Sequence, residues 1–175
     1  IAAYARTHPE ISWGIHLTLN SEWKNYRWGP VLGKTSVPSL VDPEGYFWDS
    51  TRELAIRANL DEVERELRAQ IELAIANGIT PSHFDTHMYA LFTRDDLREL
   101  YLKLGIEYQV PVLFFKKSEL MTNWSKVELE NWQKSITTLE QAKQPILNYY
   151  NGHNYFTPTD ERKSYVISLI KNLPI

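Results

Sequence analysis

The chain has 175 residues, of which 43% are hydrophobic and 23% charged, and its formal net charge is −3. These values are typical of a single globular domain over residues 1–175, and they give no electrostatic reason to expect nucleic acid or an anionic membrane as a partner. No segment approaches the roughly 20 apolar residues that a membrane span requires. The absence of cysteine excludes disulfides and thiolate metal sites, and it fits a cytoplasmic location. Any metal ligand must therefore be His, Asp or Glu.

The apolar pattern predicts strands alternating with helices along the first two thirds of the chain. We expect strands at 11–20, 79–87 and 108–115, and helices at 60–74 and 93–104. Asn59 and Thr93 are the predicted N-caps of the two helices, and Gly78 and Gly105 their ends. This order is typical of parallel βα units, which bind ligands at the carboxyl ends of their strands. Further helices are predicted at 120–132, 138–150 and 159–170, and a strand at the end of the chain.

Metal-binding residue types occur at the predicted strand ends. Residues 82–89 read SHFDTHMY and place His83, Asp85 and His87 on one face of an extended strand. His83 and His87 would then lie about 13 Å apart, too far for one metal with bonds of about 2 Å. We therefore expect His87 and His16, from neighbouring strands, to be the metal ligands, with Asp85 orienting a histidine. The alternative is that all of these are hydrogen-bonded structural residues.

Aromatic residues are concentrated in the long irregular segment 21–52, which also contains several Gly and Pro residues. A connection of this length in a compact domain is usually functional. Rings in such a loop stack on sugars or bases, or they pack as a small satellite core beneath the loop. Trp23, Trp28 and Trp48 are the candidates for contact with a ligand.

Two motifs together resemble those of the YdjC-like carbohydrate deacetylases of the ChbG type. Residues 14–19 (GIHLTL) are similar to the family's GxHxxL strand, and residues 80–87 (TPSHFDTH) to its PTHxDSH strand end. Ser82 stands where Thr is usual and Thr86 where Ser is usual, and both replacements keep a hydroxyl group. The resemblance covers roughly residues 1–115.

The resemblance implies an α/β fold of the distorted (β/α) barrel type and a metal-dependent enzyme that removes acetyl groups from N-acetylated sugars such as chito-oligosaccharides. It assigns His16 and His87 to a divalent metal, zinc or magnesium, which the sequence does not distinguish. The third ligand and the base would come from an Asp-Asp pair in a strand that we expect to precede Ile1, and the last strands of the barrel are expected to follow Ile175. His83 and Asp85 are the catalytic candidates within this sequence, and Trp23, Trp28 and Trp48 the sugar contacts.

Two other functions fit the same residues. One is a metal-dependent hydrolase of a different amide or ester on the same barrel, because fold and ligands alone do not determine the substrate. The other is a carbohydrate-binding relative that has lost catalysis. We also consider a homodimer, although the sequence does not set the oligomeric state.

Overall fold

A computed structural model describes residues 1–151, 163–164 and 167–168 of the chain. Its strands are β1 (Gly14–Leu17), β2 (His83–Thr86), β3 (Phe115–Ser118) and β4 (Leu147–Tyr150). Its α-helices are α1 (Ala2–Thr7), α2 (Thr51–Arg57), α3 (Leu60–Ala76), α4 (Asp95–Glu107) and α5 (Lys126–Gln141). Short 3₁₀ turns cover Pro38–Leu40 and Glu119–Met121, and His87–Phe92 is a turn segment in which Met88 and Tyr89 are not helical. No helix in the described ranges is long and apolar enough to cross a membrane.

The described strands form two parallel pairs, β1 with β2 and β3 with β4. The pairs are connected through the segment before β3, where Val112 bridges Phe84 in parallel and the Leu147 amide donates to the Phe114 carbonyl at 3.0 Å. The strands therefore neighbour one another in space in their chain order. This arrangement confirms a mixed α/β fold with short parallel strands. The predicted closed barrel stays a prediction.

Apolar side chains between the strands and helices form one buried cluster. Trp132 of α5 stacks on Phe114 with ring centroids 4.1 Å apart, and its indole N–H donates to the Phe115 carbonyl. Tyr101 of α4 is fully buried and donates to the carbonyl of Phe84 in β2 at 2.8 Å. Because Tyr101 and Trp132 both bond to strand backbone, they fix α4 and α5 against the strands as well as filling space.

The helix predictions are partly confirmed. Asn59 caps α3 by accepting from the amides of Asp61 and Glu62, and Gly78 follows its end with a φ of 83°. The prediction for α4 was wrong at both ends. Arg94 is the N-cap, whereas the Thr93 hydroxyl donates to Ala90 in the preceding turn, and Gly105 lies inside the helix. A Cβ atom on Gly105 would lie 2.4 Å from a methyl group of Val112, so this glycine permits close packing of helix on strand.

The strand predicted at 108–115 begins later than expected. Tyr108 is the C-cap of α4 and Gln109 has a φ of 56°, so the chain is still turning there. Pro111 has no N–H group and cannot continue a regular ladder, although its carbonyl accepts from the Phe84 amide. Regular pairing starts only at Phe115.

The helices predicted at 120–132 and 138–150 are confirmed only in part, since residues 126–132 and 138–141 belong to one continuous helix. One helix, α5, begins after Ser125, which forms a reciprocal capping box with Glu128. Residues 147–150, placed in the second predicted helix, form β4 beyond Pro145, a residue that helix interiors exclude. Of the helix predicted at 159–170, only four positions are described, and those are helical. The predicted terminal strand lies outside the described residues.

Candidate metal and sugar site

The parallel register of β1 and β2 sets the framework of the candidate site. His16 lies opposite Asp85, while Leu17 and Phe84 point to the other face and are fully buried. Because side chains alternate along a strand, burial of Leu17 and Phe84 turns His16 and Asp85 to the opposite face. The apolar pattern of the two strands thus determines which polar groups meet.

Four side chains form a continuous chain of hydrogen bonds, which we name the histidine cluster: Glu22, His87, His16 and Asp85. The Nδ1 atom of His16 lies 2.8 Å from Oδ1 of Asp85, and its Nε2 atom lies 3.0 Å from Nδ1 of His87. The Nε2 atom of His87 lies 2.9 Å from Oε2 of Glu22. Each imidazole therefore has one nitrogen against a carboxylate and the other facing the second imidazole.

The carboxylates determine where the imidazole protons are. An ionised carboxylate only accepts hydrogen bonds, so His16 donates from Nδ1 and His87 from Nε2. If both rings are neutral, two lone pairs face each other across 3.0 Å, an arrangement that requires a proton or a cation between them. The hydrogen bond to Asp85 raises the pKa of His16 above its usual value. Burial alone would raise the pKa of Glu22, but its hydrogen bonds, led by that from His87, outweigh burial and lower it.

The cluster supplies part of a metal site. Two nitrogens bound to one tetrahedral ion with bonds of about 2 Å lie about 3.3 Å apart, close to the separation of the facing imidazole nitrogens. Outer carboxylates that fix the tautomer of a histidine are the usual support of histidine ligands. Within the described ranges, no three His, Asp or Glu side chains converge as a complete metal site. The residues fit two ligands and their supporting groups.

The turn after β2 directs His87 toward His16. Met88 and Tyr89, which follow it directly, have φ values of 48° and 54°. Side chains larger than Asn are uncommon in this left-handed region, and the cost is about 1–2 kcal/mol per residue. The turn is held by the Thr86 hydroxyl, which accepts from the Leu91 amide at 3.2 Å. Strained backbone beside a polar cluster is a feature of functional sites.

His83 lies on β2 but not in the histidine cluster. Its Nδ1 atom lies 2.9 Å from the hydroxyl of Ser82, and its ring covers Gly14 of β1. A Cβ atom on Gly14 would lie only 2.3 Å from the His83 ring, so glycine at this position makes room for the imidazole. The structure therefore brings together His16, Asp85 and His87 but leaves His83 at the other end of the strand.

An exposed aromatic surface borders the cluster, consisting of Trp23, Tyr26 and Trp28. Trp28 is half-buried, with its ring centroid 5.9 Å from that of His87, 6.4 Å from that of Trp23 and 6.2 Å from that of Tyr26. Trp23 and Tyr26 are 61% and 70% exposed. Exposed rings beside polar groups are the arrangement that binds the apolar face of a sugar.

Trp48 occupies a different environment. Its indole N–H donates to the Ser39 carbonyl at 2.8 Å, and the Arg57 guanidinium lies over its ring at 4.4 Å. Its neighbour Phe47 is buried in the core. The segment 21–52 thus contains both kinds of aromatic residue that the sequence leaves open, exposed rings near the cluster and packed rings elsewhere.

Helix α3 anchors this segment through one polar face. The buried Glu66 carboxylate accepts from the amides of Val31 and Leu32 at 2.8 and 3.1 Å and from the Gln70 side chain. Gln70 in turn bonds both the amide and the carbonyl of Thr18, just beyond β1. Loop and strand end are therefore fixed relative to one another by the same helix face.

Sequence reasoning missed Glu22 and Asn20. Both come directly after the first strand, where side chains beyond a carboxyl end face the ligand site in parallel folds. This position was the signal that could have identified them. It was not used, because the two side chains form no motif with the histidines. Asn20 is fully buried and donates to Oε2 of Glu22 at 3.3 Å.

Comparison with known proteins places these features in a family. A family model described as YdjC-like protein matches residues 1–174. A carbohydrate deacetylase of Thermus thermophilus is 44% identical over 97 residues, which are 55% of this chain and 35% of that protein. One of Brevibacillus brevis is 38% identical over 110 residues, 63% of this chain and 40% of that protein. These matches span two fifths or less of the relatives' length.

A solved structure is also similar. The crystal structure of a protein described as a putative cellobiose-phosphate cleavage protein from Enterococcus faecalis superimposes with a TM-score of 0.61 at 26% sequence identity. The alignment covers 93% of this chain and 67% of that chain. The similarity extends beyond residue 115, where the resemblance seen in the sequence ends.

Proposed function

The chain belongs to the YdjC-like family, and from this premise we propose that it carries the histidine ligands and part of the sugar-binding surface of a metal-dependent carbohydrate deacetylase. The substrate class that we propose is N-acetylated sugars such as chito-oligosaccharides. The deacetylase names of the relatives support the reaction, and the motifs of residues 14–19 and 80–87 support the same assignment.

One observation supports the metal in this proposal. The facing nitrogens of His16 and His87 are 3.0 Å apart, and the outer nitrogen of each ring is engaged by a carboxylate. Two neutral rings between two carboxylates leave the cluster net negative, and a divalent cation relieves this charge more completely than one shared proton. His16 and His87 would hold the cation, and we expect the third ligand and the base from the Asp-Asp pair that the family resemblance implies.

A divalent cation bound there would supply Lewis acidity, polarising the acetamide carbonyl and acidifying water. The residues of this chain provide the surroundings of that chemistry. Asp85 and Glu22 keep the two imidazoles in the tautomers that present lone pairs. Trp23 and Tyr26 offer ring faces on which a sugar can lie beside the histidine cluster. His83 makes no contact with the cluster, so we propose no acid role for it.

We propose further that β1 to β4 are consecutive strands of a distorted (β/α) barrel. The pairings of β1 with β2 and of β3 with β4 are parallel, and the spatial order of the four strands follows their chain order, as in barrels of this type. In such barrels the ligand binds at the carboxyl ends of the strands, which is where His87 and Glu22 lie.

Acetate release tests the proposed reaction. The protein containing this chain is incubated with N-acetylated chito-oligosaccharides and added divalent metal, beside a His87→Ala variant. Acetate from the parent and none from the variant is the expected result. Metal uptake without acetate would favour the hydrolase of another amide or ester, and sugar binding without metal uptake would favour the non-catalytic relative.

A further inference from the structure

The two left-handed residues that follow His87 are each held by a side chain from a different strand end. The Sδ atom of Met88 accepts from the side-chain amide of Asn20, shortly after β1, at 3.3 Å. The hydroxyl groups of Tyr89 and Tyr150 lie 2.8 Å apart, and Tyr150 is the last residue of β4. The turn is therefore attached on one side to the end of β1 and on the other to the end of β4.

Tyr150 is itself held by the core of the protein. Its ring stacks on that of Phe115 in β3, with centroids 5.0 Å apart and 14° between the ring planes, and Phe115 is buried. The Tyr89 ring packs edge-on against the Tyr150 ring at 6.2 Å and stacks on Phe92 at the same distance. The hydroxyl of Tyr150 is thus presented from a strand, which places a group more accurately than a loop does.

The backbone of the turn requires such support. Met88 and Tyr89 have φ values of 48° and 54°, and residues with side chains favour negative φ. Two consecutive residues in this region persist only where their surroundings hold them. Relaxation of the turn would change the direction of the chain directly after His87, and with it the approach of His87 to His16 at 3.0 Å.

We infer that Tyr150 is a positioning residue whose hydrogen bond with Tyr89 holds the left-handed turn and so keeps His87 facing His16. The inference rests on the proposed function for the metal that the two histidines would bind. Strand β4 contributes no side chain to the histidine cluster, yet through Tyr150 it supports the cluster from 61 positions further along the chain than Tyr89.

The test makes two measurements on the protein containing this chain. The first is hydrogen–deuterium exchange of the Leu91 amide, followed by nuclear magnetic resonance without metal. This amide donates to the Thr86 hydroxyl across the turn, so its exchange reports opening of the turn. The second is zinc affinity, measured by competition with a chromophoric chelator.

Three variants remove the hydrogen bond and keep the rings. They are Tyr150→Phe, Tyr89→Phe and the protein that carries both substitutions. Tyr149→Phe is the matched control, because it removes a hydroxyl at the neighbouring position of β4, where the hydroxyl lies 3.4 Å from Oε1 of Glu119. Since side chains alternate along a strand, this ring faces away from that of Tyr150.

Either single variant should exchange the Leu91 amide about three- to tenfold faster and bind zinc more weakly by about the same factor, the size expected for one net hydrogen bond. Both substitutions remove the same bond, so the double variant should lie within about twofold of the single variants. Tyr149→Phe should remain within about twofold of the parent in both measurements.

Leu91 exchange that is unchanged in both single variants would overturn the inference. Faster exchange with unchanged zinc affinity would also overturn it, because the turn would then not position His87. A parent that binds no zinc would remove the proposed metal function, and Leu91 exchange would still decide whether Tyr150 holds the turn. Thermal unfolding identifies a variant that does not fold, and the other single variant then supplies the same comparison.

Discussion

The Nε2 atom of His16 lies 3.0 Å from the Nδ1 atom of His87, although 71 positions separate the two residues in the chain. The parallel register of β1 and β2 and the left-handed turn after β2 produce this approach. If both rings were neutral and both outer nitrogens were protonated, neither facing nitrogen could donate a hydrogen bond to the other. The pair is therefore the most specific chemical feature of the described residues.

Replacing His87 should affect metal binding far more than replacing His83. His87→Ala removes a proposed ligand, so zinc affinity should fall by more than the roughly 10- to 100-fold typical of a supporting group. His83→Ala, at the start of β2, is the matched control, because His83 contacts Ser82 and Gly14 instead of the cluster. Its zinc affinity should stay within about threefold of the parent's. Equal losses in the two variants would exclude the assignment of His87.

Trp23 and Trp48 should respond differently to substitution. Trp23→Ala removes an exposed ring beside the cluster and should weaken sugar binding about tenfold, or about 1.4 kcal/mol, with little change in stability. Trp48→Ala removes the bond to Ser39 and the contact with Arg57, and it should lower the free energy of unfolding by about 2 kcal/mol. Calorimetric sugar titrations and urea unfolding measure the two effects. A sugar affinity that falls only in Trp48→Ala would reverse the assignment.

Glu66 should contribute strongly to the free energy of unfolding, because its charged side chain is fully buried and hydrogen-bonded. Glu66→Ala leaves the amides of Val31 and Leu32 without their acceptor, and the expected loss is about 3 kcal/mol of unfolding free energy. Glu130→Ala on the exposed surface of α5 should cost less than about 0.5 kcal/mol. Equilibrium urea unfolding compares the two. Similar losses at both positions would show that the buried carboxylate is not an anchor of the loop.

Asp42 should make the stability of the segment depend on pH. Burial alone would raise the pKa of its carboxyl, but hydrogen bonds from Arg27 and from the backbone amides of its own turn outweigh burial and lower it. A carboxyl whose pKa is lower in the folded protein stabilises it fully above the unfolded pKa, about 3.9, and this stabilisation is lost as the pH falls through the folded value. The charged form is thus the one that the fold favours.

Asp42→Asn should therefore be less stable than the parent at pH 7, and the difference in unfolding free energy should shrink as the pH falls below about 4. Urea unfolding of both proteins between pH 7 and pH 2 measures this difference. A difference that is constant over the whole range would mean that the Asp42 charge does not contribute.

The sequence predicted the parts of the fold that depend on local pattern. The Asn59 cap and the Gly78 end of α3 followed from residue type, and the apolar positions of β1 and β2 indicated which side chains share a face. The parts that failed depend on tertiary pairing. Residues 147–150 lie in a segment that the sequence predicts as helix, but they form β4 because β3 offers them a parallel partner.

In the candidate site, too, the sequence predicted what depends on local pattern and not what depends on tertiary contacts. His16 and His87 were identifiable because strand ends and motifs point to them. Glu22 was not, because its position depends on Asn20, a buried residue whose side chain directs the carboxylate toward His87. Exposure also could not be read from the sequence, so Trp23 and Trp48 looked equivalent although only Trp23 borders the histidine cluster.

We propose that His16 and His87 hold one cation between them. Crystals of the protein containing this chain, grown with zinc and measured on both sides of the zinc absorption edge, would locate the metal by its anomalous scattering. We expect one peak within about 2.1 Å of Nε2 of His16 and of Nδ1 of His87. No peak at this position, with the two nitrogens still about 3 Å apart, would mean that a proton joins the histidines and would contradict a metal role for them.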